Sequence, residues 1–207
     1  MTEWLLAALA ELSPWEGVAV SLAIAYLLLA MRENILCWYC ALASASIYTV
    51  LFWDASLPMQ SLLNVYYVGM AVYGWWQWRR GGESHTGVAI HSWPLGRHLP
   101  VVAGILVLSA VSGYWLDSRE VGAWPFADAF TTWASLVVSW MVAKKILENW
   151  LYWIVIDGIC VFMYFDRGLH LSSLLFAAYV VIAVFGYFSW RAHARRAASH
   201  ELATSVS

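Results

Sequence analysis

Charge is what this sequence has least of. Asp, Glu, Lys and Arg supply 12% of its 207 residues, about half the share in an ordinary soluble domain, while 62% is hydrophobic and the mean hydropathy is +0.66. That balance excludes a water-soluble core. A net charge of −2 also excludes the basic face that a nucleic-acid partner needs. No Lys or Arg precedes Arg32, so the basic region of a secretory signal is missing. Cysteines are scarce: Cys37, Cys40 and Cys160 all lie in apolar segments, and no disulfide framework is implied. Cys37-Trp38-Tyr39-Cys40 has no second pair and no His beside it, and reads as small packing residues. His85, His91, His98, His170, His193 and His200 are assigned to loops or the tail, which leaves no intramembrane metal site. There is no GxSxG, HExxH or GxxxxGK[ST], hence no sign of an enzyme or of ATP use, and no cofactor is called for. The Gly-rich filter of a selective ion channel is absent too.

What is present is apolar helix. A membrane span needs about 20 mostly apolar residues. Candidates lie at 16–31, 35–53, 60–78, 98–116, 126–143, 149–165 and 171–190, separated by polar breaks such as Arg32-Glu33-Asn34, Lys144-Lys145 and Asp166-Arg167-Gly168. Residues 3–12 place Trp4, Leu5, Leu9 and Leu12 on one side of a short interfacial helix. The expected fold is an all-α integral membrane bundle of seven spans, embedded in the lipid bilayer with no separate soluble domain. Lys and Arg set its orientation. Nine fall in the loops after spans 1, 3 and 5 and in the C-terminal tail, and two, Arg119 and Arg167, on the other side. The basic side is the cytoplasm, which places the N-terminus outside and the C-terminus inside.

The chain also repeats itself. Residues 61–79 match 173–191 at ten of nineteen positions with an offset of 112, among them Ser61/Ser173, Tyr67/Tyr179, Gly74/Gly186, Trp78/Trp190 and Arg79/Arg191. A weaker echo pairs Glu33-Asn34-x-Leu36-x-Trp38 with Glu148-Asn149-x-Leu151-x-Trp153 at an offset of 115, which sets Asp157 opposite Leu42. The expected organisation is an interfacial segment at 1–13, a three-helix repeat at 14–80, a loop and linker helix at 81–124, a second three-helix repeat at 125–191 and a cytoplasmic tail at 192–207. Three spans, a connector and three more spans make both halves point the same way, the parallel repeat found in the sugar transporters called SWEETs.

One residue stands out. Asp157 lies mid-span, where a carboxylate costs on the order of 3 kcal/mol and faces a cavity or a partner by default. Trp150, Trp153, Asp157, Cys160 and Tyr164 recur at helical spacing along one face of span 6. Span 3 offers a matching stripe of Gln60, Asn64, Tyr67, Gly74 and Trp78, and span 5 adds Thr132, Ser135 and Ser139 beside Trp133 and Trp140. The hydroxyls serve equally as helix–helix glue, and Asn149 reads as an N-cap. One carboxylate among aromatic faces, amides and hydroxyls suits a flat aromatic cation, each cation–π contact adding about 0.5–2 kcal/mol. A second reading with the same helices is a membrane scaffold or complex subunit that transports nothing.

The stretch Asp128-x-x-Thr131-Thr132-x-x-Ser135, then Lys145-x-x-Glu148-Asn149-Trp150-x-x-Trp153-x-x-x-Asp157, Tyr164, Gly168-Leu169 and Gly186-Tyr187-x-x-Trp190 resembles the PnuC-type vitamin transporters. The resemblance covers nearly the whole chain and is strongest over 125–191. It implies a SWEET-like bundle, usually a homotrimer, in a bacterial inner membrane. It implies facilitated diffusion of nicotinamide riboside, trapped by a cytosolic kinase; one branch of the family carries thiamine instead. By that resemblance Trp150, Trp153 and the polar position 157 would contact the substrate ring, with Gln60, Asn64, Tyr67 and Tyr164 as further contacts. The chain departs from the family pattern at Ser139, where a Gln often stands, and that keeps thiamine as the alternative substrate.

Overall fold

Prolines mark where the helices begin. The computed structural model describes residues 13–56, 58–82, 85–120 and 123–205, and the interfacial helix expected at 3–12 lies outside them. Seven helices run through the described residues: α1 Pro14–Met31, α2 Cys37–Asp54, α3 Pro58–Arg80, α4 Leu95–Ser118, α5 Pro125–Ala143, α6 Asn149–Asp166 and α7 His170–Ser205. Pro14, Pro58 and Pro125 open α1, α3 and α5, and Pro94 caps α4. The missing N–H costs nothing there, because the first N–H groups of a helix have no partner. Ser13 caps α1 by accepting from the Glu16 N–H at 3.1 Å. The tail expected after residue 191 is helical, since α7 continues to Ser205.

Among the described residues, four stretches are long and apolar enough to cross a membrane: α1, α4, α5 and residues 170–197 of α7. The others reach 18–23 residues but carry polar and aromatic side chains that lower their hydropathy, such as Ser44, Thr49, Asn64, Gln77 and Asp157.

The chain divides into two compact units, Met1–Ala89 and Ile90–Ser207. In the first, α2 packs on α1 and α3; in the second, α4 packs on α5, α5 on α6 and α6 on α7. Their local structures correspond residue by residue. Trp38 meets Trp78 edge-on, ring centroids 5.3 Å apart at 87°, and Trp150 meets Trp190 at 5.4 Å and 89°. Gly74 leaves room for the Trp38 ring and Gly186 for the Trp150 ring, where an added methyl would lie 2.7 Å from ring carbons. Ser61 Oγ donates to the Thr49 carbonyl at 2.8 Å, and Ser173 Oγ to the Val161 carbonyl at 3.0 Å. Glu33 and Lys145 both take left-handed backbone, φ 54° and 52°, to turn the chain into α2 and α6.

All these pairs share the offset 112. The echo at 115 is therefore corrected: Trp38 corresponds to Trp150, not Trp153, and Asp157 stands opposite Ala45, not Leu42. The Glu-Asn dipeptides that suggested 115 do not do equivalent work, because Asn34 lies in the turn whereas Asn149 is already helical. The N-cap expectation for Asn149 is corrected as well. Glu148 holds the cap position without a side-chain cap bond, and Asn149 is wholly buried with its Nδ2 donating to the Ile146 carbonyl at 2.6 Å.

Ser61→Ala and Ser173→Ala are expected to cost similar amounts, about 1 kcal/mol each, the usual net worth of one hydrogen bond. Unfolding in detergent checks this, and a cost confined to one unit would break the equivalence.

In the second unit the segment before α4 lies along the α5–α6 turn as a strap. His91 N–H donates to the Lys145 carbonyl at 3.1 Å, and Leu147 N–H returns to the His91 carbonyl at 2.9 Å. The Ser92 hydroxyl and the Trp93 N–H both donate to the Glu148 carboxylate, the latter at 3.1 Å. At the opposite end of α6, Trp124 Nε1 donates to Asp166 at 2.9 Å and Arg167 pairs with Asp128 at 3.1 Å.

Candidate substrate site

The α6 stripe is real. Trp150, Asp157 and Cys160 are buried on one face, and Trp153 and Tyr164 are half-buried against a cluster that includes Ile105, Val138, Met141 and Ile156. Asp157 is 5% exposed, and no ion pair or hydrogen bond to it is found among the described residues. Glu148 and Asp128 differ from it, since each is engaged by donors near a helix end. A carboxylate out of water without a cation or donors is costly, so this one calls for a proton or a cationic partner.

Tyr164 stacks on Phe176 of α7, centroids 5.1 Å apart and planes 17° from parallel, and Phe176 meets Tyr179 edge-on at 5.5 Å. Sequence reading passes over Phe176, because a Phe in an apolar helix reads as filling. The signal was its repeat partner: in the first unit that position is Asn64.

Trp150 behaves differently from Trp153. It is 1% exposed, packed between Gly186 and Trp190 as Trp38 is between Gly74 and Trp78. Both indole N–H groups are buried without an acceptor among the described residues. The geometry gives Trp150 a packing task common to both units, whereas Trp153 has Ala41 as its counterpart and belongs to the second unit alone.

The remaining candidates are spread over two units. Asn64 is 8% exposed, and its Nδ2 donates to the Gln60 carbonyl at 2.9 Å; the Gln60 side chain is exposed and Tyr67 half-buried, its ring 5.7 Å from that of Tyr66. Gln77, which sequence reading did not single out, is buried and donates to the Tyr73 hydroxyl at 2.7 Å. On α5, Ser139 Oγ donates to the Ser135 carbonyl at 2.7 Å, which occupies its hydrogen within its own helix. Thr132 is exposed and Ser135 buried.

The placement of His98 and His170 in loops is corrected: His98 sits in the first turn of α4 and His170 opens α7, whereas His193 and His200 lie in the tail, in the continuation of α7. Helix starts are hard to place in sequence, and Pro94 begins α4 earlier than hydropathy suggests. Among the described residues no group of three His, Cys, Asp or Glu is placed to hold a metal ion.

The model of the nicotinamide mononucleotide transporter family matches residues 13–192. The chain belongs to that family. Among relatives, the nicotinamide riboside transporter PnuC of Escherichia coli is 24% identical, with 93% of this chain and 91% of that protein aligned. The riboflavin/roseoflavin transporter RibM of Streptomyces davaonensis is 24% identical over 62% of each chain. The crystal structure of the vitamin B3 transporter PnuC is similar with a TM-score of 0.66 and 25% identity, covering 86% of this chain and 81% of that one. Membership in this PnuC-type family of transporters, not enzymes, favours carriage over a purely scaffolding role.

Proposed function

We propose that this protein carries nicotinamide riboside across a bacterial inner membrane by facilitated diffusion, with thiamine as the alternative substrate. The observation that carries the reading is Asp157: a carboxylate on a membrane helix, buried on the same face as Trp153, Cys160 and Tyr164 and meeting no cation among the described residues. A flat aromatic cation supplies the missing charge and stacks on the rings. Riboflavin lacks that charge, so the relation to RibM does not favour a flavin. Family membership over most of the chain and the likeness to the nicotinamide riboside transporter of Escherichia coli support the same choice.

The rest of the proposal follows the sequence. Seven spans place the N-terminus outside and the C-terminus in the cytoplasm. Two parallel three-helix repeats rock about a midplane site, with α4 as the linker. The carrier works as a homotrimer, and a cytosolic kinase traps what enters. Trp153, Asp157 and Tyr164 are the substrate contacts to which this reading commits first; Trp150, Gln60, Asn64, Tyr67, Ser139 and Thr132 are the further candidates.

Calorimetry on the purified protein with nicotinamide riboside, thiamine, nicotinamide and riboflavin tests the reading. Nicotinamide riboside is expected to bind, and Trp153→Ala to weaken it about tenfold, the worth of one desolvated cation–π contact plus lost stacking. Binding of riboflavin alone, or of none of the four, would defeat the assignment.

A further inference from the structure

The strap on the α5–α6 turn holds a titratable group that carriage alone does not require. His98 lies 54 residues from Tyr152 in sequence, yet its Nδ1 shares a hydrogen bond with the Tyr152 hydroxyl at 3.0 Å. The other ring nitrogen, Nε2, is buried, has no hydrogen-bond partner among the described residues, and stands 3.9 Å from Glu148 Oε2. Glu148 is the same carboxylate that receives the Ser92 hydroxyl and the Trp93 N–H. The Trp93 ring packs against His98 at 5.7 Å and against Trp140 of α5 at 5.9 Å. The imidazole is thus the inner member of a clasp joining residues 91–98 to the start of α6, the helix that carries Trp153 and Asp157.

A neutral imidazole serves this place incompletely. With its hydrogen on Nδ1, a bare Nε2 lone pair faces a carboxylate. With its hydrogen on Nε2, Nδ1 accepts from Tyr152, but 3.9 Å is too long for a hydrogen bond to Glu148. An imidazolium donates from both nitrogens and sets a positive charge beside the carboxylate. Imidazole is the side chain whose ordinary titration falls between about pH 5 and 8. The surrounding groups are few. From α6 come Glu148 and Tyr152; from the strap come Ser92 and the indole of Trp93; from α5 comes the indole of Trp140. Arg97 precedes His98 in α4, His91 lies on the strap, and Lys144 and Lys145 stand in the turn before Glu148.

We propose that His98 is a proton-responsive positioning residue of the carrier: its protonation draws Nε2 onto Glu148, tightens the clasp on the start of α6 and slows the transport cycle. This rests on the transport reading above, so the experiment reads the clasp and the transport separately. Hydrogen exchange by mass spectrometry follows residues 91–98 of the full chain at acid and neutral pH. Uptake of nicotinamide riboside into vesicles holding the same protein is timed in parallel. Replacing a neutral by a charge-assisted hydrogen bond is expected to raise protection of 91–98 about tenfold at acid pH. Maximal uptake is expected to fall by a similar factor while KM stays level. H98Q is expected to flatten both profiles, and E148Q serves the same purpose should H98Q fail to fold. Protection that ignores pH in the wild type, or that still changes with pH in H98Q, overturns the clasp. A protection step with uptake independent of pH overturns the positioning role. A protection step with no uptake of nicotinamide riboside, thiamine or riboflavin at any pH overturns the transport reading, and the positioning role with it.

Discussion

Asp157→Asn is expected to weaken binding of a cationic vitamin strongly while leaving the empty protein folded and no less stable. The two halves of that expectation have one cause. A carboxylate deep in a membrane helix costs on the order of 3 kcal/mol, and an amide of the same shape relieves most of it. In the loaded carrier as proposed the same charge would face the cation, and removing one partner of a buried charge pair costs about 2–5 kcal/mol. Affinity should therefore fall at least tenfold, and the thermal shift that ligand confers on the wild type should vanish, because a ligand stabilises only the state it binds. Trp153→Ala should be milder. Equal affinity in wild type and Asp157→Asn would show that the carboxylate serves the fold and not the cargo.

Gly74→Ala is expected to destabilise the first unit strongly. A methyl there overlaps the six-membered ring of Trp38. That ring is 4% exposed and lies between Tyr26 at 5.9 Å and Trp78 at 5.3 Å, so it has nowhere to retreat. Overpacking of this kind costs about 1–3 kcal/mol. Gly186→Ala should cost less, since the added methyl would stand 2.7 Å from the Trp150 ring and a small shift relieves it. Trp38→Leu combined with Gly74→Ala should recover part of the loss, because the smaller side chain vacates the contested volume. Unfolding in detergent measures all four proteins. A Gly74→Ala variant as stable as the wild type would show that the two tryptophan clasps are incidental packing.

Transporter function and site residues separate at Trp150. Motif resemblance treats Trp150 and Trp153 alike, as two aromatic contacts for one ring. The offset 112 parts them, since Trp150 has a twin in Trp38 and Trp153 has none. On the transport reading proposed above, specificity would lie where the repeats disagree: Asp157 against Ala45, Phe176 against Asn64, Trp153 against Ala41. Substitutions at those positions are the ones from which a change of substrate is expected.

Much of this was legible in the residues. Helix positions follow from runs of apolar side chains between polar breaks, and the prolines and charged turns bound them within a few residues of where the chain does, except at the end of α7, which runs on to Ser205. The cost of a lone carboxylate among apolar neighbours is likewise local, so Asp157 announces itself. The repeat shows wherever both copies kept Tyr, Gly, Trp and Arg.

Other features depended on which residues meet across the chain. Trp150 lies against Gly186 and Trp190, His98 against Tyr152 and Glu148, and Tyr164 against Phe176. Each contact joins residues far apart in sequence, and helical periodicity says which face a side chain occupies but not what it faces. The sequence by itself determined a membrane chain of repeated helices with one costly acid. Tertiary packing alone decided the register of α2 against α6, which tryptophan is scaffold, and where an imidazole is held against a carboxylate, because those depend on contact between side chains and not on their order.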